Sequence, residues 1–481
     1  MQEKLTKKYG LFTAISMVVG IVIGSGVFFK AQDILERLQG NMPLGILAWI
    51  IGGLVIAGCA TTFAVMASKY EHCGGPVDYA EATCGKTYAY VMSWFLAIIY
   101  YPAITAVLGW VTASYIGVIF GLDSVGSEVM MLTGVLILFT YAYNALAPKL
   151  AGKLQISMTV IKMIPLILMA VVGTVAGLVN GNIAEGFGSA ASTDAGAVGG
   201  DEIFGAIVAT AFAYDGWIIA TSINGEIKNA KKNLPLALLF GCLIIVATYV
   251  LYYIGLAGAT DIDTLREQGA SSAFVALFGK GFAVVLNVFV AVSCLGTLNG
   301  LALATTRGFY ACATREDTKP FRMFKSLDPH TNIPNNASLI GLIAVAFWLF
   351  FFYGANLTSG WFGVFNFDSS ELPIITLYGM YIPIFINFMR KEKEMNAFRR
   401  FVLPSIAIIG SVFMIFATVY SHGVQPFLKA KENGTFAFPV LFYLIVFGVV
   451  VGAGLLLRYF GNRMKTAQSE EPTEETTEQT L

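Results

Sequence analysis

Twelve times along its 481 residues this chain runs for about 20 residues or more with few or no charges, and that recurrence constrains its fold more than any other feature. A helix rises 1.5 Å per residue, so about 20 apolar residues cross a hydrocarbon layer roughly 30 Å thick. The predicted spans lie near 11–38, 43–68, 87–120, 127–147, 154–179, 203–226, 234–259, 281–312, 337–356, 370–389, 401–420 and 436–458. Composition agrees, with 56% hydrophobic and 12% charged residues, where a soluble domain carries about 25% charged. These numbers describe an all-α polytopic membrane protein.

Two of the spans carry a built-in interruption. Span 1 contains GIVIGSGVFFK, residues 20–30, in which Gly24, Ser25 and Gly26 are consecutive small residues that favour helix poorly. Span 6 contains AFAYDGWII, residues 211–219, with Asp215 and Gly216 side by side among large apolar residues. An aspartate at the centre of a membrane helix costs on the order of 2.5–3.5 kcal/mol on insertion scales, so it has to face protein or water. Freed backbone groups are tolerated in hydrocarbon only where protein or a cavity covers them, so each interruption predicts a cavity at membrane depth. The half-helix expected to begin near Val27 would point free N–H groups and its positive dipole end into that cavity, a setting that suits a carboxylate. Gly20 and Gly24 also fit a small-xxx-small packing face, the competing explanation for span 1 taken alone. Five spans separate the two breaks, so the second set enters the membrane from the opposite side. That is the pattern of an inverted repeat with its site where the broken helices cross.

Orientation follows from the basic residues. With a cytoplasmic N-terminus, 23 of the 30 Lys and Arg residues fall on the inside, six outside, and Lys162 within span 5. This bias predicts both termini in the cytoplasm. Residues 1–10 read as a cytoplasmic tail, and 466–481, TAQSEEPTEETTEQTL, as a disordered acidic tail. The charged stretch EIKNAKKNLP, 226–235, ends in a proline and reads as a cytoplasmic hinge after span 6.

Other classes find little support. Net charge is zero with no basic run, which argues against nucleic acid as a partner. His72, His330 and His422 all fall in loops or at span ends, so no metal or haem cofactor is expected within the bilayer. TCGKT, 83–87, resembles the end of a phosphate-binding loop, but the motif's first glycine would fall at Ala80 and no strand precedes it. A channel lacks a ring-forming repeat. The six cysteines lie in spans or cytoplasmic loops and imply no disulfide framework.

Five stretches resemble the amino acid, polyamine and organocation (APC) superfamily of secondary transporters, and within it the L-type amino acid exchangers. They are IGSGVF at 23–28, GGPVDYAEATCG at 74–85, FAYDGW at 212–217, EIKNAKKNLPLAL at 226–238 and SCLGTLNGLALATTRGFY at 293–310. The resemblance runs from span 1 to span 8. It weakens at CATREDTKPFRM, 312–323, where many relatives carry an arginine-rich segment, which puts the inner mouth in question. It implies a five-plus-five inverted repeat, with 11–179 and 203–389 as the two units and helices 11 and 12 in 401–458. It also implies a plasma-membrane transporter of L-amino acids working by alternating access, without sodium and without enzymatic activity. Exchange of small or polar neutral amino acids is the expectation; proton-coupled transport or exchange of cationic amino acids or polyamines is the alternative. Animal relatives attach to a glycoprotein through a cysteine in the loop after span 3. GLDSVGS, 121–127, has none, so no disulfide-linked subunit is expected, and the chain is read as a monomer or homodimer.

The resemblance also assigns roles, each beside a plainer alternative. A free amino acid carries a carboxylate and an ammonium a few ångströms apart. Backbone N–H groups at Gly24, Ser25 and Gly26 would take the first, and carbonyls at Phe212, Ala213 and Asp215 the second. Ser25 would otherwise bond back onto its own helix. In relatives an aromatic at the position of Phe212 closes over the substrate as an outer gate; otherwise Phe212 is packing. Lys162 would replace a sodium ion by donating to carbonyls of span 1 near Gly20–Ile23 and to a hydroxyl of span 8, or would snorkel to the cytoplasmic face. Asp215 either faces the pocket and selects a cationic side chain, or turns aside to a tyrosine or the backbone. Val22, Ile23 and Asn299 are candidates for side-chain selectivity, Asn299 alternatively bonding across helices. Glu226 is a candidate inner gate or a surface charge. Asp368 and Glu371 would add negative potential to the outer vestibule or mark a solvated helix end.

Overall fold

The computed structural model describes residues 10–70, 75–192, 198–217, 227–316, 319–358 and 360–470. These residues form helices joined by short turns. We label the principal ones α1 Leu11–Val22, α2 Ser25–Arg37, α3 Met42–Lys69, α4 Lys86–Phe120, α5 Ser127–Leu146, α6 Pro148–Ile161, α7 Met163–Asn180 and α8 Gly200–Ala213. They continue with α9 Ala230–Ala259, α10 Ala270–Arg315, α11 Asn335–Leu357, α12 Pro373–Lys391, α13 Phe398–Glu432 and α14 Pro439–Glu470. Among the described residues, nine helices are long and apolar enough to cross a bilayer. Large apolar side chains such as Met131, Phe347, Ile409 and Val449 point outward, more than 60% exposed. Such a surface belongs against lipid.

The core is built around α3, α4, α8, α9 and α10. Helix α3 packs along α9, α4 along α10, α1 along α9, and α2 against α8, while α12 and α13 close one side. Its largest fully buried side chains include Trp49, Phe63, Tyr249, Tyr252 and Tyr381. Helices α7 and α9 approach closely because glycine faces glycine; a Cβ on Gly177 would stand 2.5 Å from the Cα of Gly258.

Several predicted boundaries move. The basic segment after span 6 does not run as a hinge to Pro235, because α9 starts at Ala230 and carries Pro235 inside it. Proline there removes one backbone bond, a loss that membrane helices accommodate within a packed bundle. Span 8 gains a separate helical segment at its start, since Gly279 at φ 76°, ψ 164° interrupts α10. Helix α14 runs about three turns beyond the predicted span, to Glu470. Ion pairs tie the helix ends that the positive-inside pattern puts in the cytoplasm. Lys69 and Tyr70 meet Glu392, Arg315 meets Asp78, and Arg458 meets Glu316 at 2.8 Å.

Candidate functional site

Both expected interruptions are present and face each other. In span 1 the helix stops at Val22; Ile23 has ψ 110° and Gly24 is extended at φ −144°, ψ −153°, and helix resumes at Ser25. The unwound residues are thus Ile23 and Gly24, and α2 starts two residues before the expected Val27. Ser25 and Gly26 belong to its first turn, so their N–H groups are among those without an intrahelical acceptor. The side chain of Ser25 lies outside the described residues. In span 6 the helix ends at Ala213, and the chain turns through Tyr214, Asp215 and Gly216, the last at φ 102°, where glycine is the residue that fits.

The two breaks are in contact. A Cβ on Gly26 would stand 2.6 Å from the Cα of Ala213, and one on Gly24 would stand 2.6 Å from Thr297 Oγ1 on α10. Span 1 therefore touches span 6 and span 8 through its glycines. Tyr249 on α9 binds the breaks together: its hydroxyl lies 3.2 Å from the carbonyl oxygens of both Val22 and Ala213 and accepts the N–H of Gly24. The ring is held by stacking on Tyr214 and by the edge of Trp49. Each orphan carbonyl keeps a second lone pair, so donor and acceptor ends suited to a zwitterion remain side by side.

Asp215 is half-buried, and its carboxylate accepts from the hydroxyl of Tyr100 and the N–H of Gly216. The structure places Asn299 between helices, where its side-chain oxygen accepts from Tyr143 at 2.8 Å and Asn144 at 2.7 Å on α5. Lys162 sits at the kink between α6 and α7, buried, with its ammonium donating to the carbonyl of Gly20. Val22 and Ile23 are buried at the first break. Glu226 lies outside the described residues.

On the side of the breaks that the positive-inside pattern puts outside the cell, an aromatic layer intervenes. Phe212 faces Phe29 at 6.4 Å, Phe29 meets Trp110 at 5.7 Å, and Trp110 meets Phe352 at 5.4 Å. Beyond it lies a cavity of about 440 Å³ whose walls include Trp110, Tyr115, Asp33 and Arg37. Glu371 is neither a solvated helix end nor a source of free negative potential there. It is fully buried and paired with Lys30, Arg37 and His422. Asp368, Glu371 and His422 bring three donor atoms within 4.8 Å of one another, but Lys30 and Arg37 already balance Glu371, so no metal is assigned to them.

Sequence reading singles out neither Tyr249 nor Tyr100. Both are tyrosines within ordinary apolar helix, and their roles come from carbonyls and a carboxylate supplied by other spans.

Helices crossing a bilayer, with two of them interrupted and in contact inside the bundle, define a multi-pass membrane transporter. Comparison with known proteins agrees: a family model of amino acid permeases matches residues 9–451. The serine/threonine exchanger SteT of Bacillus subtilis is 31% identical over 433 residues, covering 86% of this chain and 92% of the relative. The b(0,+)-type amino acid transporter 1 of Mus musculus is 26% identical over 429 residues, covering 88% and 85%, and the human cystine/glutamate transporter is 25% identical over 376 residues, covering 73% of each. The chain belongs to the amino acid permease family of the APC superfamily, and its relatives are transporters of the L-type and b(0,+) kind.

Proposed function

We propose that this chain is a sodium-independent exchanger of small or polar neutral L-amino acids in the plasma membrane, with both termini in the cytoplasm. Residues 11–179 and 203–389 act as inverted five-helix units, and helices in 401–458 stand outside them. Support for the repeat is that α3 with α9 and α4 with α10, its expected counterparts, are the most extensively packed pairs. The substrate carboxylate binds the N–H groups at Gly24, Ser25 and Gly26, that of Gly24 leaving the Tyr249 hydroxyl to do so, and the substrate ammonium binds carbonyls of Phe212 and Ala213.

The observation that carries the neutral preference is the engagement of Asp215 by Tyr100 and Gly216. A carboxylate already holding two donors has less to gain from a cationic side chain. The name of the Bacillus relative, a serine/threonine exchanger, points the same way. Lys162 puts a side-chain donor on the Gly20 carbonyl of span 1, where a coupled sodium ion would otherwise be needed. Phe212 closes the site from outside.

The test is competition by twenty unlabelled amino acids against labelled serine in proteoliposomes preloaded with cold serine. Inhibition by serine, threonine and alanine, with counterflow accumulation, is expected. Dominant inhibition by arginine or lysine would replace the neutral reading with the cationic one.

A further inference from the structure

Outside the aromatic layer, α2 carries Lys30, Asp33 and Arg37 on one face, and the turn before α12 carries Glu371. Asp33 bonds Lys30 at 3.1 Å and Arg37 at 2.8 Å, and Glu371 receives Lys30 as well as Arg37 at 3.1 Å. His422 Nε2 of α13 completes the ring around Glu371 at 3.0 Å. Both Lys30 and Glu371 are buried, 2% and 0% exposed, although Lys30 borders the outer cavity that Asp33 and Arg37 help to line. Lys30 also lies over the rings of Phe29 and Phe212, 5.1 Å and 5.3 Å from their centroids. One ammonium therefore joins the aromatic layer to the carboxylate that anchors α2 to α12.

We propose that the Lys30–Glu371 pair, supported by Arg37 and Asp33, is an electrostatic latch that holds the outer pathway shut, and that outward opening requires α2 to leave Glu371. In the closed cluster Lys30 and Arg37 face the carboxylates of Asp33 and Glu371, with that of Asp368 beside them. Removing Glu371 leaves Lys30 and Arg37 with Asp33 on their own helix, and removing Lys30 leaves Glu371 with Arg37 and His422, so either change takes away part of what ties α2 to the turn before α12 and disfavours the closed form. In the open form the same groups stand in a vestibule filled with water and are hydrated, so the open state is penalised far less. A buried pair at this place therefore biases a two-state equilibrium rather than merely adding stability. The latch rests on the transport reading above, since a pathway must exist for it to close.

The test reads accessibility without substrate. Val107 is fully buried, yet it lines the outer cavity next to Trp110. Val107→Cys, in a full-length chain whose six native cysteines are replaced, is labelled in intact cells with a membrane-impermeant methanethiosulfonate. Adding Glu371→Gln is expected to raise the labelling rate by about tenfold or more, a population shift of about 1.4 kcal/mol. Lys30→Met should do the same. The double substitution should add little, because one latch is broken only once, whereas two independent packing defects would multiply. Unchanged labelling in either single variant, with monodisperse elution showing that it folds, would overturn the latch even if transport is intact. Multiplying effects in the double variant would also overturn it. Failure of serine counterflow together with the expected labelling pattern would overturn the exchanger reading and leave the latch standing.

Discussion

Replacing Gly26 with alanine tests whether the two interrupted helices must touch for the site to exist. The added Cβ would stand 2.6 Å from the Cα of Ala213 and 3.2 Å from its carbonyl oxygen, whereas ordinary contact begins at 3.4 Å. The obstacle is backbone, so no rotamer change relieves it, and α2 and α8 must separate by about 0.8 Å, the difference between 2.6 Å and 3.4 Å. Hydrogen bonds to nitrogen occupy a window of only about 0.5 Å, so a zwitterion held from both sides keeps one end and loses the other. A lost bond to a charged group is worth roughly 1.5–3 kcal/mol, or about a tenfold to hundredfold weaker affinity. Alanine favours helix by about 1 kcal/mol over glycine, so weaker binding cannot be blamed on a weaker α2. Two controls bracket the effect. Gly24→Ala meets a hydroxyl that rotates, that of Thr297, and should cost less; Gly308→Ala meets nothing nearer than 3.4 Å and should cost little. The assay is the half-saturation concentration for serine uptake, with equilibrium binding to purified protein beside it. Wild-type affinity in Gly26→Ala would refute the claim that the break in span 1 and the end of α8 form one site.

Three further outcomes follow from the same geometry. Lys162→Ala should lower initial uptake at least about tenfold while insertion and elution stay normal, because the carbonyl of Gly20 loses its side-chain donor; unchanged uptake would leave the lysine as structural. Tyr100→Phe frees Asp215 from its side-chain donor, so arginine and lysine should begin to compete for serine uptake, and an unaltered competition profile would show that Asp215 faces away from the substrate. Asn299→Ala removes the acceptor of Tyr143 and Asn144 and should lower the thermal midpoint, at a cost of about 1–3 kcal/mol, without changing half-saturation; the opposite pattern would put Asn299 in the pocket.

The breaks were legible because their residues are improbable in a continuous membrane helix. Gly24 and Asp215–Gly216 contradict the hydropathy around them, and contradiction is visible locally. Where span 1 resumes was less legible. Gly24, Ser25 and Gly26 are all poor helix formers, and only the contacts of Gly24 with Thr297 and of Gly26 with Ala213 decide that the chain is extended at Ile23–Gly24 and helical from Ser25. Tyr249 left no trace, since a tyrosine in YVLYY is as compatible with packing as with bridging two broken ends, and the carbonyls it serves lie 227 and 36 residues away.

The pairing of Glu371 has a signature in the sequence, carried by another helix. Lys30, Asp33 and Arg37 recur at three- and four-residue spacing, so they share one helix face and leave it one positive charge in excess. A face of that kind within reach of hydrocarbon demands an acidic partner, and among the few carboxylates of the outer segments Glu371 sits at the start of a span. Net charge per helix face, rather than charge per loop, is the quantity that pairs them, and the fold buries Lys30 and takes Glu371 out of water altogether. The rule transfers: in a carrier whose helices part and rejoin, a charged face at a membrane boundary that is unbalanced on its own helix points to a contact that one conformation makes and another breaks.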